Sequence, residues 1–370
     1  MIEHRLLAEY RQPDGSTPFI TIAIPHYRHR QYLEIVLDSL FKQTYLNFDI
    51  LISSDNSPDD SDSVLPPVLY ASGRPFTYYA QMKNLGYDGN VRFCLSVARG
   101  RYVFLLGNDD AIANNEALEQ VAASLQILQY PAVAFTNYQD YGSNVLVQRA
   151  LVTADLGSGA DVVLRFYPSF SFVSGLIFSR ASAIEHETDR WDRSVYYQIY
   201  LACRIIAQGG VLGSIAVTAV RKDVLVEGQG VPNYITRVST SEKNFHKRHT
   251  GVDSAVRVTW DAIQPSIPVN KRSTWLRRLF TRVYLTWHPY WILEYRRIAN
   301  WEAGVGVARG HYPGLMLQEY ALKPYDRLVL WIVYLMSTTV ALLTPVSIFN
   351  ALKSRIALIL RRSSQSRVQA

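Results

Sequence analysis

The stretch that decides the fold is Phe-Ile-Thr-Ile-Ala-Ile-Pro, residues 19–25. It is almost wholly apolar, rich in Ile and Phe, and closed by a proline, which is typical of a strand buried on both faces. Apolar side chains then recur at Leu33, Val36, Leu37, Leu40 and Phe41. Spacings of three and four residues predict an amphipathic helix after the strand.

The same alternation continues through the first half of the chain. Further strands are predicted at Phe48–Ser53, Phe76–Ala80, Tyr102–Leu106 and Ala132–Thr136. A helix is predicted before the last of them, over residues 115–129. Repeated strand–helix units with short connections predict an α/β fold on an open, doubly wound and mostly parallel sheet. Such sheets bind ligands beyond the carboxyl ends of their strands.

Four residues stand where predicted strands end: Pro25, Asp55, Asp109 and Asp110. We expect them to meet in one crevice. The adjacent carboxylates of Asp109 and Asp110 cannot both ionise readily unless a cation lies beside them. Mg²⁺ uses such a set, one or two carboxylates together with substrate phosphates. Two structural alternatives remain: an aspartate before a helix caps its free N–H groups, and Asp55 and Asp59 form Asx-turns.

The composition is that of a folded protein of 370 residues, of which 48% are hydrophobic and 19% charged. This excludes a wholly disordered chain, a collagen and a disulfide-stapled miniprotein. Cys94 and Cys203 lie in apolar runs and are predicted to be buried thiols, without a disulfide framework or a cysteine metal site. The sequence begins without an apolar run of signal-peptide length, so the cytosol is the expected compartment.

Several short motifs follow one another in a fixed order. They are Pro25-His26-Tyr27-Arg28, Gln43-Thr44-Tyr45, Ser54-Asp55-Asn56-Ser57, Asn84-Leu85-Gly86, Ala98-Arg99-Gly100-Arg101-Tyr102 and Asn108-Asp109-Asp110. Over residues 18–130 their order and spacing resemble the nucleotide-sugar glycosyltransferases of family 2, which have the GT-A fold. The run from Asn84 to Asn90 and the Leu-Gly-x-Asp-Asp ending look most like the abequosyltransferase-type branch, which builds bacterial O-antigen and related glycans.

The resemblance implies a nucleotide-sugar site at these positions. Pro25 and Tyr27 would shape the floor under the nucleobase, and Asp55 would accept from the base edge or the ribose. The residues that would line the nucleotide and the sugar are Asn84, Gly86 and Asn90.

The resemblance also implies a metal on the donor diphosphate. Asp110 would hold Mg²⁺ or Mn²⁺, with Asp109 behind it or on the sugar. A bound cation neutralises the charge that develops on a nucleoside diphosphate as it leaves. Ser174 and Gly175 resemble the acceptor-side strand of the family.

The general base is the point at which the chain departs from the family. Inverting family 2 enzymes often carry Glu-Asp at the start of a later helix, but the matching register here is Tyr197-Gln198. Gln198 cannot take a proton. Asp192 is therefore the first candidate for the catalytic base and Asp189 the second; either residue also fits a cap at a helix start.

The second part of the chain differs in charge and composition. Residues 1–220 carry 16 Lys+Arg against 22 Asp+Glu, whereas residues 221–370 carry 22 against 9. Arginines alternate with Trp, Tyr, Phe and Leu over residues 271–300, and Leu328–Leu352 contains no charge. Packed helices or a nucleic-acid surface would also use arginine with aromatic residues. The long apolar run favours a membrane surface.

The mode of membrane association follows from the flanking charges. Lys353, Arg355, Arg361 and Arg362 follow the apolar run. A single span with a cytosolic nucleotide-sugar site would put these residues outside, against the positive-inside rule. An in-plane or re-entrant helix is therefore favoured over a span. The expected location is the cytoplasmic face of the inner membrane.

Together these observations predict an N-terminal tail (1–17), a GT-A catalytic domain (18–225) and a C-terminal helical membrane-associating region (226–370). The expected function is transfer of one sugar from a nucleotide-sugar donor to a hydroxyl of a lipid-linked glycan, inverting and metal-assisted, in bacterial surface polysaccharide synthesis. No nucleic-acid partner is expected. The alternatives are a degenerate nucleotide-sugar-binding scaffold and a processive polysaccharide synthase.

Overall fold

The computed structural model describes residues 3–12, 15–229 and 251–351. Contacts among them form two compact units, the first within residues 3–229 and the second within 251–351. The first unit combines strands and helices, and the described part of the second is helical. The predicted basic tail from Lys353 lies outside the described residues. The predicted domain boundary between residues 225 and 226 stays a prediction.

The described part of the first unit is built on a mixed sheet of 11 strands. The strands are β1 (His4–Tyr10), β2 (Ile20–His26), β3 (Phe48–Ser54), β4 (Phe76–Gln81), β5 (Tyr102–Leu105), β6 (Ala111–Ile112), β7 (Val133–Asp140), β8 (Leu146–Val147), β9 (Ala154–Asp155), β10 (Leu176–Ser179) and β11 (Leu212–Lys222). Their order is β1-β4-β3-β2-β5-β10-β7-β11-β6, with β8 beside β7 and β9 beside β11.

The predicted α/β sheet is confirmed, with its parallel strands at the centre. Strands β4, β3, β2 and β5 run parallel, and so do β7 and β11. Strand β10 is antiparallel to both of its neighbours, β5 and β7. The sheet as a whole is therefore mixed.

Helices connect these strands. They are α1 (Arg30–Phe41), α2 (Ser61–Ala71), α3 (Gly86–Val97), α4 (Ala117–Ile127), α5 (Ala160–Phe166), α6 (Arg180–Glu185) and α7 (Tyr197–Ala207), with a 3-10 turn at Tyr167–Phe170. The buried residues of α1 include Leu33, Val36, Leu37 and Leu40, as the helical spacing predicted. Cys94 and Cys203 are buried free thiols, which confirms that prediction.

The parallel register brings the ends of three strands to one edge of the sheet. His26 of β2 lies opposite Ser54 of β3, and Ala23 of β2 lies opposite Leu105 of β5. The amide of Asp55 continues this pattern by donating to the His26 carbonyl at 2.8 Å. The turns that follow β2, β3 and β5 are therefore neighbours, as the sequence predicted.

Part of the segment predicted as an N-terminal tail forms a strand of the sheet. β1 pairs antiparallel with β4, from His4 opposite Gln81 to Tyr10 opposite Phe76. Ala8 is its one buried residue, so the segment lacks the apolar run that marks a buried strand. Its backbone covers an edge of β4 that would otherwise expose unpaired N–H and C=O groups.

The motif from Ala98 to Tyr102 fixes the start of β5. The Gly100 amide donates to Thr21 Oγ1 at 2.8 Å, and Thr21 Oγ1 donates to Asp49 Oδ1 at 2.6 Å. A Cβ atom on Gly100 would lie 2.5 Å from the Thr21 backbone nitrogen, so no larger residue fits. The close approach sets the register of β5 against β2, and hence the position of the turn at its far end.

The described part of the second unit consists of helices joined by short turns. They are α8 (Val252–Ile263), α9 (Arg272–Leu285), α10 (Trp287–Ile298), α11 (Trp301–Gly310), α12 (Pro313–Met316) and α13 (Pro324–Leu343), with 3-10 turns at Gln264–Ser266 and Val269–Lys271. Asn300 caps α11, its Oδ1 accepting from the Ala303 amide at 2.9 Å.

Helix α13 is long and apolar enough to cross a membrane, and no second helix of the described ranges meets that criterion. The uncharged segment of the sequence runs from Leu328 to Leu352, whose last residue lies outside the described residues. The structure ends α13 at Leu343. Thr344 is extended, with ψ 123°, because Pro345 disfavours the helical conformation of the residue before it. The uncharged segment is therefore not one continuous helix: it is interrupted at Thr344 and Pro345, and residues 346–351 are helical again.

Candidate functional site

The turn after β3 is fixed by Asp55, whose side chain is 2% exposed. Oδ1 accepts from the Leu85 amide at 2.6 Å and Oδ2 from the Gly86 amide at 3.0 Å, so the carboxylate caps the start of α3. Burial raises the pKa of Asp55 to about 6, although the two amide hydrogen bonds act in the opposite direction. Each oxygen keeps a second acceptor position for a ligand.

Asn84 and Gly86 complete this turn. Asn84 Nδ2 donates to the Asp55 carbonyl at 3.0 Å, and Asn84 Oδ1 accepts from the Gly86 amide at 3.0 Å. Gly86 has a φ of 74°, which L side chains rarely adopt, and no atom lies within 4 Å of the place its Cβ would take. Asp55, Asn84 and Gly86 are thus brought together, with open space beside the glycine.

The Asn90 side chain bonds to Ser53 rather than to the turn formed by Asp55, Asn84 and Gly86. Its Oδ1 accepts from Ser53 Oγ at 2.5 Å, and its Nδ2 donates to the Ser53 carbonyl at 2.9 Å. The same Ser53 Oγ accepts from Gln81 Nε2 at 2.9 Å. Asn90 is 2% exposed and ties α3 to β3. Its predicted contact with a nucleotide stays a prediction.

The turn after β2 presents Tyr27 to solvent, with the Arg28 guanidinium 5.1 Å from the ring centroid. Arg28 and His29 are both left-handed, with φ values of 59° and 66°. Asn108 Nδ2, from the turn after β5, donates to the Arg28 carbonyl at 3.0 Å and holds this conformation. Pro25 is half-buried at the end of β2, in the strand next to Asp55.

Buried His26 links the turns after β2, β3 and β5. Its Nδ1 accepts from Asn108 Nδ2 at 3.1 Å, and its Nε2 lies 2.8 Å from Ser61 Oγ. Burial lowers the pKa of His26 to about 4, so the ring is neutral at neutral pH and Nε2 donates to Ser61. Asp59 Oδ1 accepts from the Ser61 hydroxyl and from Ser57 Oγ. Asp59 therefore organises its own turn, as the Asx-turn alternative anticipated.

The turn after β5 holds the two adjacent carboxylates. Asp110 is 3% exposed. Its Oδ1 accepts from the Asp223 amide at 2.9 Å and its Oδ2 from the Ser174 hydroxyl at 2.5 Å. A Cβ on Gly107 would lie 3.0 Å from Asp109 Oδ1 and 3.1 Å from Asp110 Oδ2. The absence of a side chain at Gly107 therefore lets one oxygen of each carboxylate approach the same point.

The electrostatics of this turn favour a cation. Burial, followed by repulsion from Asp109, raises the pKa of Asp110. Burial and the nearby Asp223 carboxylate raise the pKa of Asp109. The Lys222 ammonium opposes this effect at Asp109, but it is itself paired with Asp223. Buried carboxylates with raised pKa values gain stability when a cation binds their ionised forms.

Mg²⁺ and Mn²⁺ fit this pair. Residues 3–12, 15–229 and 251–351 contain no group of three or more His, Cys, Asp or Glu side chains able to hold a metal ion. A hard cation that also binds a diphosphate needs only one or two carboxylates from the protein. Asp109 and Asp110 provide those oxygen donors and would hold the ion.

Sequence reasoning missed Lys222 and Asp223, and it assigned Ser174 only to the acceptor side. Asp223 follows the end of β11 and has a φ of 59°, which directs its amide to Asp110. Ser174 Oγ accepts from the Gly107 amide at 2.8 Å while it donates to Asp110. The sequence does show Lys222 and Asp223 at the end of a long apolar strand. Nothing in the local pattern connects them with Asp110, which lies far away in the chain.

The two candidate bases differ in their surroundings. Asp192 is half-buried, and its oxygens accept from Arg92 Nε at 3.2 Å and from Arg92 Nη2 at 2.8 Å. Glu187 binds the same guanidinium, at 3.1 Å from Nη1. Asp189 is exposed. Gln198 is buried in the first turn of α7, and its Oε1 has no hydrogen-bond partner among the residues that the structure describes. The assignment of the base to Asp192 or Asp189 stays a prediction.

The sequence model of "Glycosyl transferase family 2" matches residues 21–186. This range contains β2, the turns after β3 and β5, and both carboxylates of the pair. Residues 21–186 therefore resemble the family 2 glycosyltransferases, which confirms the resemblance predicted from the motifs.

Curated relatives resemble the same part of the chain. Abequosyltransferase RfbV of Salmonella typhimurium is 34% identical over 112 residues, which are 30% of this chain and 31% of that protein. The GalNAc(5)-diNAcBac-PP-undecaprenol beta-1,3-glucosyltransferase of Campylobacter jejuni is 28% identical over 95 residues, which are 26% of this chain and 31% of that protein. The matched stretches thus span about a third of these relatives.

Solved structures share the fold over most of the chain. TarS 1-349 of S. aureus in complex with UDP has a TM-score of 0.55 and 14% identity, covering 87% of this chain and 90% of that one. The mannosyltransferase PcManGT of Pyrobaculum calidifontis, in complex with GDP-Man and Mn²⁺, has a TM-score of 0.50 and 15% identity, covering 89% and 88%. The predicted GT-A fold with a C-terminal helical region is confirmed.

The carboxylate pair predicts a pH-dependent stability that a metal reverses. Asp109 and Asp110 hold protons to a higher pH in the folded state than in the unfolded state. Their contribution to the free energy of unfolding therefore falls as pH rises from about 4 towards neutrality. Mn²⁺ binds the ionised pair, so its stabilising effect should grow over the same pH range, reaching about 2.7 kcal/mol at roughly 100 times its Kd.

Thermal unfolding of wild type, Asp110→Asn and Asp38→Asn with and without Mn²⁺ measures both effects. Asp38 is a matched control because it is an exposed carboxylate whose ion pair among the described residues is with Lys42, four residues along the chain. Asp110→Asn should flatten the pH dependence and lose most of the stabilisation by Mn²⁺, whereas Asp38→Asn should behave as wild type. Equal stabilisation of all three proteins by Mn²⁺ would contradict the assignment.

Proposed function

We propose that the protein transfers one sugar from a nucleotide-sugar donor to a hydroxyl of a glycan acceptor, with Mg²⁺ or Mn²⁺ held by Asp110 and Asp109. One observation carries the proposal: two adjacent carboxylates, buried Asp110 and half-buried Asp109, follow β5 next to the turns after β2 and β3. Such a pair is unfavourable without a cation, and a diphosphate is the substrate group that shares a cation with so few protein ligands.

The other turns supply the rest of the donor site. Asp55, Asn84 and Gly86 would bind the nucleoside, since Asp55 retains acceptor capacity and Gly86 leaves open space beside it. Tyr27 would provide an aromatic surface next to the base, and Pro25 would form the floor. Hydrogen bonds within the protein hold these turns before any substrate arrives, which lowers the cost of ordering the site on binding.

The reaction then follows from the donor chemistry. The acceptor oxygen forms a bond to the anomeric carbon as the bond from that carbon to the diphosphate oxygen breaks. The acceptor proton passes to a carboxylate, and the nucleoside diphosphate leaves with the bonding electron pair. A divalent cation bound to Asp110 supplies charge neutralisation on that leaving group. Attack from the side opposite the leaving group would invert the anomeric centre.

The acceptor is proposed to be a lipid-linked glycan of a bacterial surface polysaccharide, reached at the cytoplasmic face of the inner membrane. Two observations support it. One relative acts on a GalNAc(5)-diNAcBac-PP-undecaprenol, by its name, and another is an abequosyltransferase. The second unit also carries the apolar helix α13. A nucleotide sugar is soluble and a lipid-linked acceptor is not, so an enzyme at the membrane surface meets both.

A sugar-binding scaffold without catalysis remains the second candidate, because one observation favours it. Gln198 occupies the place where inverting relatives often carry a carboxylate, and an amide cannot accept the acceptor proton. Asp109 and Asp110 could hold a cation on the diphosphate of a nucleotide sugar in such a scaffold too, so the pair alone does not decide between the two candidates. Transfer measured with purified protein decides between the two candidates.

The first functional prediction concerns Asp110. Asp110→Asn should lower transfer from a nucleotide-sugar panel by at least about 100-fold, because the leaving diphosphate loses its counter-ion. Wild type should need Mg²⁺ or Mn²⁺ and lose activity in EDTA, while Asp38→Asn should match wild type. Release of nucleoside diphosphate and mass of the glycosylated acceptor are the readouts. Full wild-type turnover in EDTA would remove the metal from the mechanism, and no transfer from any donor would favour the scaffold.

The second functional prediction concerns the base. We assign it to Asp192, because Arg92 fixes its orientation, whereas Asp189 is exposed. Asp192→Asn should lower kcat by about 100-fold or more with the donor KM little changed, and it should remove the acidic limb of the pH profile. Glu187→Gln is the matched control, since Glu187 binds the same Arg92 side chain. A large loss in Asp189→Asn with normal Asp192→Asn would reverse the assignment.

A further inference from the structure

Helix α13 has a buried line and an opposite apolar face. The buried residues are Asp326, Leu330, Tyr334, Ser337 and Ala341. The exposed apolar residues, here called the apolar stripe, are Tyr325, Leu328, Ile332, Leu335, Met336, Val340 and Leu343, each between 49% and 74% exposed. At 100° per residue the stripe occupies an arc of about 140°, centred nearly opposite the buried line. The whole length of the helix therefore shows hydrocarbon on one side.

The buried line is fastened at both ends by charged side chains of the same unit. Near its start, Asp326 accepts from Ser273 Oγ at 2.5 Å and pairs with Arg277 Nε at 3.2 Å, both from α9. Near its end, Arg296 of α10 donates from Nη1 to the carbonyls of Ala341 at 2.6 Å and Thr344 at 2.8 Å. Helix α13 is thus attached to α9 and α10 along its length.

Cationic and aromatic groups border the apolar stripe. The Arg277 guanidinium lies 5.8 Å from the ring centroid of Tyr325, at the start of the stripe. The Arg296 guanidinium, at its other end, lies 4.7 Å from the ring of exposed Trp301. Residues 251–351 carry 11 Lys+Arg against 6 Asp+Glu. Arginine with Tyr and Trp beside exposed hydrocarbon suits the boundary between lipid headgroups and acyl chains.

We propose that α13 lies in the plane of an anionic bilayer surface, with the apolar stripe inserted into the boundary between headgroups and acyl chains. The role of this membrane contact rests on the proposed function: an in-plane helix would hold the enzyme at the surface where a lipid-linked acceptor lies. The second unit then binds lipid, and α13 inserts parallel to the membrane surface.

A spanning α13 conflicts with its attachments. Helices α9 and α10 pack against it and carry six arginines, at positions 272, 277, 278, 282, 296 and 297. If α13 spanned the bilayer, it would either draw α9 and α10 into the hydrocarbon or break its ion pair and hydrogen bonds with them. Either way charged side chains would enter the hydrocarbon, where each charge is strongly unfavourable. An in-plane helix keeps α9 and α10 on the aqueous side and buries only the apolar stripe.

A second copy of the chain is a poorer occupant of the stripe than lipid. In a two-fold pair the same surface faces itself, so the arginine-bordered ends of one stripe meet those of the other. Like charges across an interface oppose association. An anionic lipid surface offers negative charge to the arginines at both ends of the stripe. Its acyl chains also provide apolar contact along the whole stripe.

The first test is flotation of the full-length protein with phosphatidylcholine vesicles, with and without phosphatidylglycerol. Wild type should bind the anionic vesicles more tightly, and salt should weaken that difference. The double variant Ile332→Glu/Met336→Glu should bind at least about 100-fold more weakly, since two apolar side chains no longer enter the bilayer. Ile127→Glu is the matched control, an exposed isoleucine of the first unit, and it should bind as wild type.

Two outcomes would overturn the proposal at this stage: wild type that ignores both kinds of vesicle, or a double variant that binds as tightly as wild type. A double variant that instead splits a dimer on a sizing column would assign the stripe to a second copy. Unchanged unfolding temperature of the double variant shows that the fold survives. Transfer to a water-soluble glycan should also survive, so failure of lipid binding and failure of the proposed function are separate results.

The second test measures the mode of insertion. Single cysteines at positions 328, 336 and 343 are labelled with an environment-sensitive fluorophore in vesicle-bound protein; native Cys94 and Cys203 are buried. Quenching by lipids that carry spin labels at different depths should place the three positions at one shallow depth. A label at 336 that lies much deeper than those at 328 and 343 would show a span and contradict the in-plane arrangement.

Discussion

Two carboxylates that follow one another in the chain lie at the end of β5, where Asp110 is buried and Asp109 is half-buried. Gly107 leaves no side chain between them, the Ser174 hydroxyl and the Asp223 amide hold Asp110, and Asp109 faces the Lys222–Asp223 pair. Such an arrangement costs stability in the absence of a cation, because burial and mutual repulsion both oppose ionisation. Contacts from β10 and β11 nevertheless maintain it. The fold thus keeps a local instability that binding of a metal and a diphosphate would remove.

Helix α3 connects the turn after β3, which holds Asp55, with the proposed base Asp192. Asp55 caps its first turn, and Asn90 fastens it to β3. From the same helix Asp88 accepts from the Val195 amide at 2.6 Å and from the Tyr197 amide at 2.9 Å, which caps α7. Arg92, one turn later, holds Asp192. One helix therefore positions the proposed nucleoside-binding turn and the proposed base, so a change in α3 should affect donor binding and catalysis together.

The sequence sufficed for those features that local pattern determines. Continuous apolar runs placed β2, β3 and β5, and the parallel register then brought Asp55, Asp109 and Asp110 to one edge of the sheet. Contacts between residues that lie far apart in the chain could not be predicted from local sequence pattern. The amide that supports Asp110 comes from Asp223, 113 residues further along the chain. Asn90 shares a motif with Asn84, but its position on α3 turns its amide towards Ser53. The exposed strand β1 offered no apolar run, and a proline ended α13 earlier than its composition suggested.

The central claim is that Asp109 and Asp110 hold a divalent cation that also binds the donor diphosphate. Anomalous diffraction at the manganese edge, from crystals of the full-length protein grown with Mn²⁺ and a nucleoside diphosphate, tests it most directly. The account predicts one manganese peak between the Asp110 carboxylate and the diphosphate oxygens, with the nucleoside beside Asp55 and Tyr27. A bound nucleotide without manganese at this turn, or manganese bound elsewhere with the pair unaltered, would contradict the account.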